Sequence, residues 1–179
     1  GYSDIFLIDS EGNVLFSSFG NDDLGTNLFS GKYSDTLFSR TAEKVLKTGI
    51  SAFSDFEIYG PLNNQATGFV VKDMLDDEGN KIGLLAIGIH ARQIASVMNE
   101  PSHSGKKSAE VYLVGTDLKM RSNSIHAKEK TILKKRVDTV QTRAWLKYEE
   151  DNVAVDHQKK ASVYMGPHGK KVLGVYHHV

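Results

Sequence analysis

The chain has 179 residues, 40% hydrophobic and 25% charged, which is the balance of an ordinary globular protein. No apolar run is long enough to cross a membrane as a helix, and the absence of cysteine excludes a disulfide framework and a thiolate metal site. Twenty-two Lys and Arg balance twenty-two Asp and Glu, which argues against a general nucleic-acid binder.

Asp4–Ile8 and Val14–Ser18 are β-rich runs around Ser10-Glu11-Gly12-Asn13, a hairpin signal in which Gly and Asn supply the positive φ of a tight turn. A loop rich in Gly, Asn and Asp follows over Gly20–Lys32. A helix is predicted from Asp35 to Thr48, because Leu37, Phe38, Thr41, Ala42, Val45 and Leu46 form one stripe. Ser34 or Asp35 is placed to cap its start, and Gly49 to end it. Strands resume at Ala52–Tyr59, Thr67–Leu75 and Lys81–Ile89. The last two are joined by Asp76-Asp77-Glu78-Gly79-Asn80, a turn resembling the first. A short helix, Ala91–Asn99, is expected to turn Ile94, Val97 and Met98 inward. Strands with segregated helices give an α+β class with an antiparallel sheet.

Residues 101–107 are polar and rich in breakers, and read as a linker between modules 1–100 and 108–179. The modules differ in charge. Residues 1–100 hold 14 acids and 7 bases, whereas 101–179 hold 8 and 15, so −7 is set against +7. Such a split reads either as an end turned toward something anionic, such as lipid headgroups, or as two solvated surfaces of unlike composition.

After the linker the opening phrase restarts. Asp4-Ile5-Phe6-Leu7-Ile8 is echoed by Glu110-Val111-Tyr112-Leu113-Val114, a spacing of 110 − 4 = 106. Gly60-Pro61 and Gly166-Pro167 are again 106 apart, with Tyr59 and Tyr164 close before them. A helix over Asp138–Glu149 stands roughly where the first helix maps. An internal duplication is the reading that serves all these places. At this spacing the strand Ile82–Ile89 would recur at 188–195, so the second module is expected to be truncated and the natural protein to continue.

The phrases YSDIFLIDSEGNVLFSS, DLGTNLFSGKYSD, FSDFEIYGP and GLLAIGI resemble the membrane-distal module of double-Cache, PAS-like extracytoplasmic sensors. SAEVYLVGTDLKMRSNS, RVDT and GKKVLGVY resemble the membrane-proximal module. The resemblance covers nearly the whole chain and implies tandem PAS-like modules set on a long N-terminal helix between two membrane spans. The implied context is the periplasmic part of an inner-membrane chemoreceptor, histidine kinase or diguanylate cyclase, homodimeric when full-length, with a small-molecule ligand in the distal module. That helix, the spans and the last proximal strand do not occur in these residues. Amino-acid-binding members carry an Arg–Trp–Tyr cluster on the crossing helix. Thr36–Lys47 contains no tryptophan, and Trp145 belongs to the proximal module, so the ligand stays open.

Catalytic motifs are absent: no GxxxxGK[ST], no GxSxG, no HExxH. His177-His178 are adjacent and on a strand would face opposite ways, so no metal site is expected, and no cofactor. Asp9 and Glu11 flank a turn and read as solvated, and Arg121 as a residue that holds a strand in place. A PAS-like pocket would lie between the sheet and the crossing helix and loop. On an unbroken strand Phe53, Asp55, Glu57 and Tyr59 share one face, and Ser54, Phe56 and Ile58 the other. A buried carboxylate without a partner is costly, so Asp55 should meet a cationic or hydrogen-bonding ligand or be tied to the backbone. Tyr33 could close over a ligand or merely pack on the core. Ala86, Gly88 and His90 share a face, where small residues leave room for a ligand or for a helix. The candidate ligand-binding residues are thus Tyr33, Phe53, Asp55, Tyr59, Phe69 and His90. The competing classes are a ligand-free structural or dimerisation module and an intracellular PAS-like regulatory domain.

Overall fold

Two D-x-E-G-N stretches close two hairpins of the first half of the chain. The first joins β1 (Asp4–Asp9) to β2 (Val14–Ser17), and the second joins β5 (Gln65–Leu75) to β6 (Lys81–His90). In each the leading carboxylate accepts the N–H of the glutamate two residues on and of the asparagine four on. The distances are 2.9 and 2.8 Å for Asp9 and the same for Asp76. The second oxygen takes the asparagine side-chain amide, at 2.8 Å from Asn13 and 3.0 Å from Asn80. Gly12 and Gly79 sit at φ 92° and 85°, a region closed to most side chains. The Asn80 side chain and backbone hold Asp76 below the usual carboxylate range. Burial pushes Asp9 upward, but its bonds from Asn13, Glu11 and Gly12 outweigh that and hold it low.

The computed structural model describes residues 2–98, 109–151 and 161–175. The chain divides into two compact units, Gly1–Val111 and Tyr112–Val179. The expected linker at 101–107 and the His177-His178 pair lie outside the described residues.

In the first unit the strands form an antiparallel sheet in the order β2-β1-β6-β5-β3, where β3 is Ala52–Phe53, and β4 (Glu57–Tyr59) also pairs with β5. Period-two alternation sends Phe6 and Ile8, Phe69 and Val71, and Leu84 and Ala86 to one face. Helix α1 (Leu37–Thr48) crosses that face and buries Phe38, Ala42 and Val45 against it. Burial of each large side chain contributes about 1.5–3 kcal/mol. The helix starts two residues later than predicted, because Thr36, not Ser34 or Asp35, is the cap. Its hydroxyl accepts the Ser39 N–H at 3.1 Å. Gly49 ends the helix at φ 71°, its N–H bonded to the Val45 carbonyl at 2.8 Å. α2 (Ala91–Met98) buries Ala91 and Ala95. Val97, expected inside, is 60% exposed, because the small residues are the ones that allow close approach.

The stretch predicted as one strand from Ala52 to Tyr59 is broken. Asp55 has φ 59°, and its carboxylate accepts the following Phe56 N–H at 2.6 Å. The Ser54 hydroxyl donates to the Asp55 carbonyl at 2.8 Å and accepts the Phe69 N–H at 2.9 Å. This local knot puts the alternation out of step: Ala52 and Ser54 before it pair opposite Val71 and Phe69, Glu57 and Tyr59 after it pair opposite Thr67 and Gln65 on the same face of β5, and Phe53 is left on the other face.

The second unit contains α3 (Val140–Asp151) and a hairpin of β7 (Ser162–Met165) and β8 (Lys171–Gly174). Thr139 accepts the Thr142 N–H at 3.2 Å at the head of α3. Gln141, buried, donates to Ser162 Oγ and to the Gly174 carbonyl, both at 3.1 Å, and so ties the helix to both strands.

The spacing of 106 reappears as geometry. Adding it to the pairs Glu57↔Thr67, Ile58↔Ala66 and Tyr59↔Gln65 gives Val163↔Leu173, Tyr164↔Val172 and Met165↔Lys171, three of the four pairs of the β7–β8 hairpin. Adding it to Ile8↔Val14 gives Val114↔Met120, an observed bridge. The turn between matches too. Gly12 N–H to Asp9 O, 3.1 Å, corresponds to Leu118 N–H to Gly115 O, 2.9 Å, and Leu118 takes up a left-handed φ of 62° in the place of Gly12. The opening strand itself does not recur. Only Val114 of residues 110–114 bridges, because no described strand stands beside it as β6 stands beside β1. Where Asp9 braces the first turn, the second has Gly115, over which the Arg121 guanidinium lies. Arg121 reaches Asp117 at 2.8 Å and the Lys119 carbonyl at 3.0 Å, so it braces this turn in place of the missing carboxylate.

Candidate ligand-binding site

The aromatic residues of the first unit converge between α1 and the sheet. Phe38 of α1 stacks on Phe69 of β5 with ring centroids 3.9 Å apart and planes within 9°. Phe6 meets Phe69 edge-on at 5.9 Å, and Tyr59 meets it edge-on at 4.9 Å. Tyr33, from the loop before α1, is 5.9 Å from Tyr59 and almost buried. The loop reaches this position because it is laced to the first hairpin. Val14 N–H bonds the Thr26 carbonyl at 2.9 Å, Gly25 N–H the Val14 carbonyl at 2.9 Å, and Leu28 N–H the Gly12 carbonyl at 2.7 Å.

The same lacing buries a carboxylate. Asp23 is wholly inaccessible, and its Oδ2 accepts the Tyr59 hydroxyl at 2.8 Å. Its Oδ1 is buried with no hydrogen-bond partner among the described residues. Burial pushes the Asp23 carboxyl up, against the bond from Tyr59. Burial and then the adjoining Asp23 charge push the Tyr59 hydroxyl far above its ordinary value, so it stays a donor. The contrast with Asp4 is instructive. Asp4 is equally buried, yet it accepts Ser17 Oγ and Asn21 Nδ2 at 2.7 Å, the Ile5 and Ser18 N–H groups at 2.7 Å, and the Ser18 hydroxyl at 2.5 Å. That carboxylate is a satisfied structural knot, whereas Asp23 keeps one oxygen uncommitted.

The other sequence candidates separate. Phe53 is 49% exposed and packs on Phe56 at 5.4 Å outside the core, because the Ser54-Asp55 knot turned the strand over. Gly68 makes that path possible, since a Cβ there would strike the Phe53 ring. Asp55 takes the second of its two expected courses and is tied to the backbone. Glu57, expected beside Tyr59, instead turns its carboxylate to the head of α1 and accepts Leu37 N–H at 2.9 Å and Phe38 N–H at 2.8 Å. His90 lies on the buried face, opposite Thr67, whose hydroxyl is 3.0 Å from its Nδ1. Burial, helped by Arg92, holds that imidazole below its ordinary value and neutral. Tyr33, Tyr59 and Phe69 are thus brought together, and Phe53, Asp55 and His90 are engaged elsewhere. Asp23 was missed by sequence reasoning, since an acid in a Gly-, Asn- and Asp-rich loop reads as solvated, and no local signal marks it as buried.

No protein-family model and no curated protein matches the sequence. Among solved structures the chain resembles an extracellular ligand binding receptor from Desulfohalobium retbaense, with a TM-score of 0.58 and 10% identity over 91% of this chain and 26% of that one. It also resembles the ligand-binding domain of the Campylobacter jejuni chemoreceptor Tlp3 in complex with L-valine, with a TM-score of 0.52 and 14% identity over 91% and 57%. The ligand-binding domain of the Pseudomonas fluorescens chemoreceptor CtaA in complex with L-serine gives 0.50 and 12% over 74% and 51%. The chain has a PAS-like, Cache-type α+β fold. Within that fold, Asp23, Tyr33 and Tyr59 sit between the crossing helix, the loop before it and the sheet. The chain spans about a quarter to just over half of the chains it resembles. No helix of the described residues is long and apolar enough to cross a membrane, and no group of three or more His, Asp or Glu among them could hold a metal ion.

Proposed function

We propose that this chain is the ligand-sensing part of an extracytoplasmic receptor, and that its first unit takes a small molecule at Asp23, Tyr33, Tyr59 and Phe69. The observation that carries the reading is the uncommitted Oδ1 of Asp23, buried beside a tyrosine hydroxyl in an aromatic cluster. A ligand that donates a hydrogen bond or carries a cationic group would satisfy that oxygen, with the rings as its apolar wall. The likeness to receptor domains solved with L-serine and L-valine supports a small polar ligand. Binding would favour one of two packings of α1 on the sheet and relay the difference to a membrane helix. A ligand biases such an equilibrium only by its unequal affinity for the two states.

A thermal-shift screen of small metabolites tests this, since a ligand held at one hundred times its Kd stabilises the folded state by about 2.7 kcal/mol. The stabilisation should vanish in Asp23→Asn and persist in Asp55→Ala. Persistence in Asp23→Asn would remove Asp23 from the site.

The stack of Phe38 on Phe69 favours a second reading, a ligand-free module that sets spacing or dimerisation, because those two fully buried rings already satisfy each other. A screen without any stabilising compound would favour it.

A further inference from the structure

Six of the fifteen Lys and Arg of residues 101–179 stand on one loop and one adjoining hairpin turn of the second unit. We propose that this patch, presented by Lys128, Lys130, Lys134 and Lys135 together with Lys170 and Lys171, docks on an anionic bilayer surface.

The loop from Ser122 to Arg136 is held from within by buried polar groups. Asn123 Oδ1 accepts the Thr131 N–H at 3.0 Å, and the buried Thr131 hydroxyl accepts the Ser124 N–H at 2.8 Å and donates to the Ser122 carbonyl at 3.1 Å. Beyond Thr131 the chain turns back, with the Lys134 and Lys135 N–H groups on the Thr131 carbonyl at 3.1 and 2.9 Å and Leu133 N–H on Met120 O at 2.8 Å. With its polar backbone anchored inside, the loop carries its lysines outside. Lys128, Lys130 and Lys134 are exposed and Lys135 is half-exposed. None of the four makes an ion pair with a carboxylate among the described residues. Between Lys119 and Arg136 the only acid is Glu129, against seven Lys and Arg.

A contact distant in sequence enlarges the patch. Ser124 Oγ is 3.1 Å from His168 Nε2, and the His126 and His168 rings lie 6.2 Å apart edge to face. These contacts bring the β7–β8 turn alongside the loop, and with it the exposed Lys170 and Lys171, which likewise have no ion-pair partner among the described residues. Ile125, 49% exposed within the same loop, supplies an apolar side chain among the cations. Clustered lysines around an exposed aliphatic match the two attractions a lipid surface offers, headgroup charge and interfacial burial. A soluble phosphate or a nucleic acid would use the lysines but have no use for Ile125.

Co-sedimentation of the 179-residue chain with vesicles tests this. Vesicles of phosphatidylcholine with 30% phosphatidylglycerol should bind it, and pure phosphatidylcholine should not. At about fivefold per lysine, K128Q/K130Q/K170Q/K171Q should lower binding by two orders of magnitude or more, and the smaller variant K170Q/K171Q by at least tenfold. The substituted side chains are all exposed, so the melting temperature should stay that of the parent. I125S should weaken vesicle binding without changing retention on heparin. Equal binding to neutral vesicles, binding unaltered in both lysine variants, no binding at all, or tighter capture by an oligonucleotide than by the vesicles would each overturn the proposal.

Discussion

Glu57 on β4 and Lys81 on β6 hold opposite ends of the same helix. Glu57 accepts the Leu37 and Phe38 N–H groups at the start of α1, and Lys81 Nζ donates to the Leu46 carbonyl at 2.7 Å near its end. Each charge is the sign that the helix dipole favours at that terminus. The sheet thereby grips α1 by its backbone as well as by its buried stripe. Removing the acceptor strands two N–H groups, so Glu57→Ala should destabilise the fold by about 1.5–3 kcal/mol. Lys81→Met keeps the apolar stem and should cost about 0.3–1 kcal/mol. Urea midpoints at constant m-value measure both, and equal losses would contradict the clasp.

Acidity should act on Asp23 and Glu57 in the sense opposite to that of a salt-bridged acid. Burial raises the folded-state value of both above that of the unfolded chain. Their contribution is therefore fully present below about pH 4, where the unfolded groups titrate, and is lost as pH rises through the raised folded values. Asp9 and Asp76, held low, contribute above about pH 4 and lose that contribution under stronger acid. Unfolding free energy measured from pH 4 upward should fall more steeply in the parent than in Asp23→Asn. A variant with the parent slope would show that this carboxyl does not drive it.

The twin turns should respond unequally to the same substitution. Both glycines have positive φ, but a Cβ at Gly79 meets nothing within 4 Å, whereas one at Gly12 would enter the Phe29 ring. Gly79→Ala should cost about 1–2 kcal/mol from the backbone alone. Gly12→Ala should add about 1–3 kcal/mol of overpacking. Thermal unfolding of the pair decides it, and equal shifts would be the adverse result.

The change of step at Ser54-Asp55 is testable with two phenylalanines. Phe69→Ala should cost about 3–5 kcal/mol, since its ring is stacked and edge-packed in the core. Phe53→Ala, at a half-exposed ring, should cost about 1 kcal/mol or less. A large loss at Phe53 would restore it to the core face.

The hairpins, α1 and the antiparallel sheet were readable because each rests on a local rule: alternation, a three- and four-residue stripe, or a glycine at a turn. The Asp55 knot was not, because its cause is Ser54 bonding across to Phe69, a partner that becomes a neighbour only after β5 pairs. Alternation extrapolated through it put Phe53 and Tyr59 on one face. Of the candidate site, Tyr33, Tyr59 and Phe69 were singled out in the sequence as residues facing a pocket, and the fold brings their rings together. The polar part of the site was not legible, since Asp23 is buried by a loop folding over it, and loop acids carry no sign of that fate. The repeat was legible from two phrases, and the coordinates add the pairing itself.

The agreement of the two hairpins makes them interchangeable cassettes. Residues 163–173 could be grafted in place of 57–67 without shifting a single backbone pair along the ladder. What would not survive the exchange is the phenol, since Met165 stands where Tyr59 does and would leave Asp23 with no donor. The two hairpins thus share their joinery and differ in chemistry: the hydroxyl of Tyr59 that answers Asp23 has no counterpart at Met165.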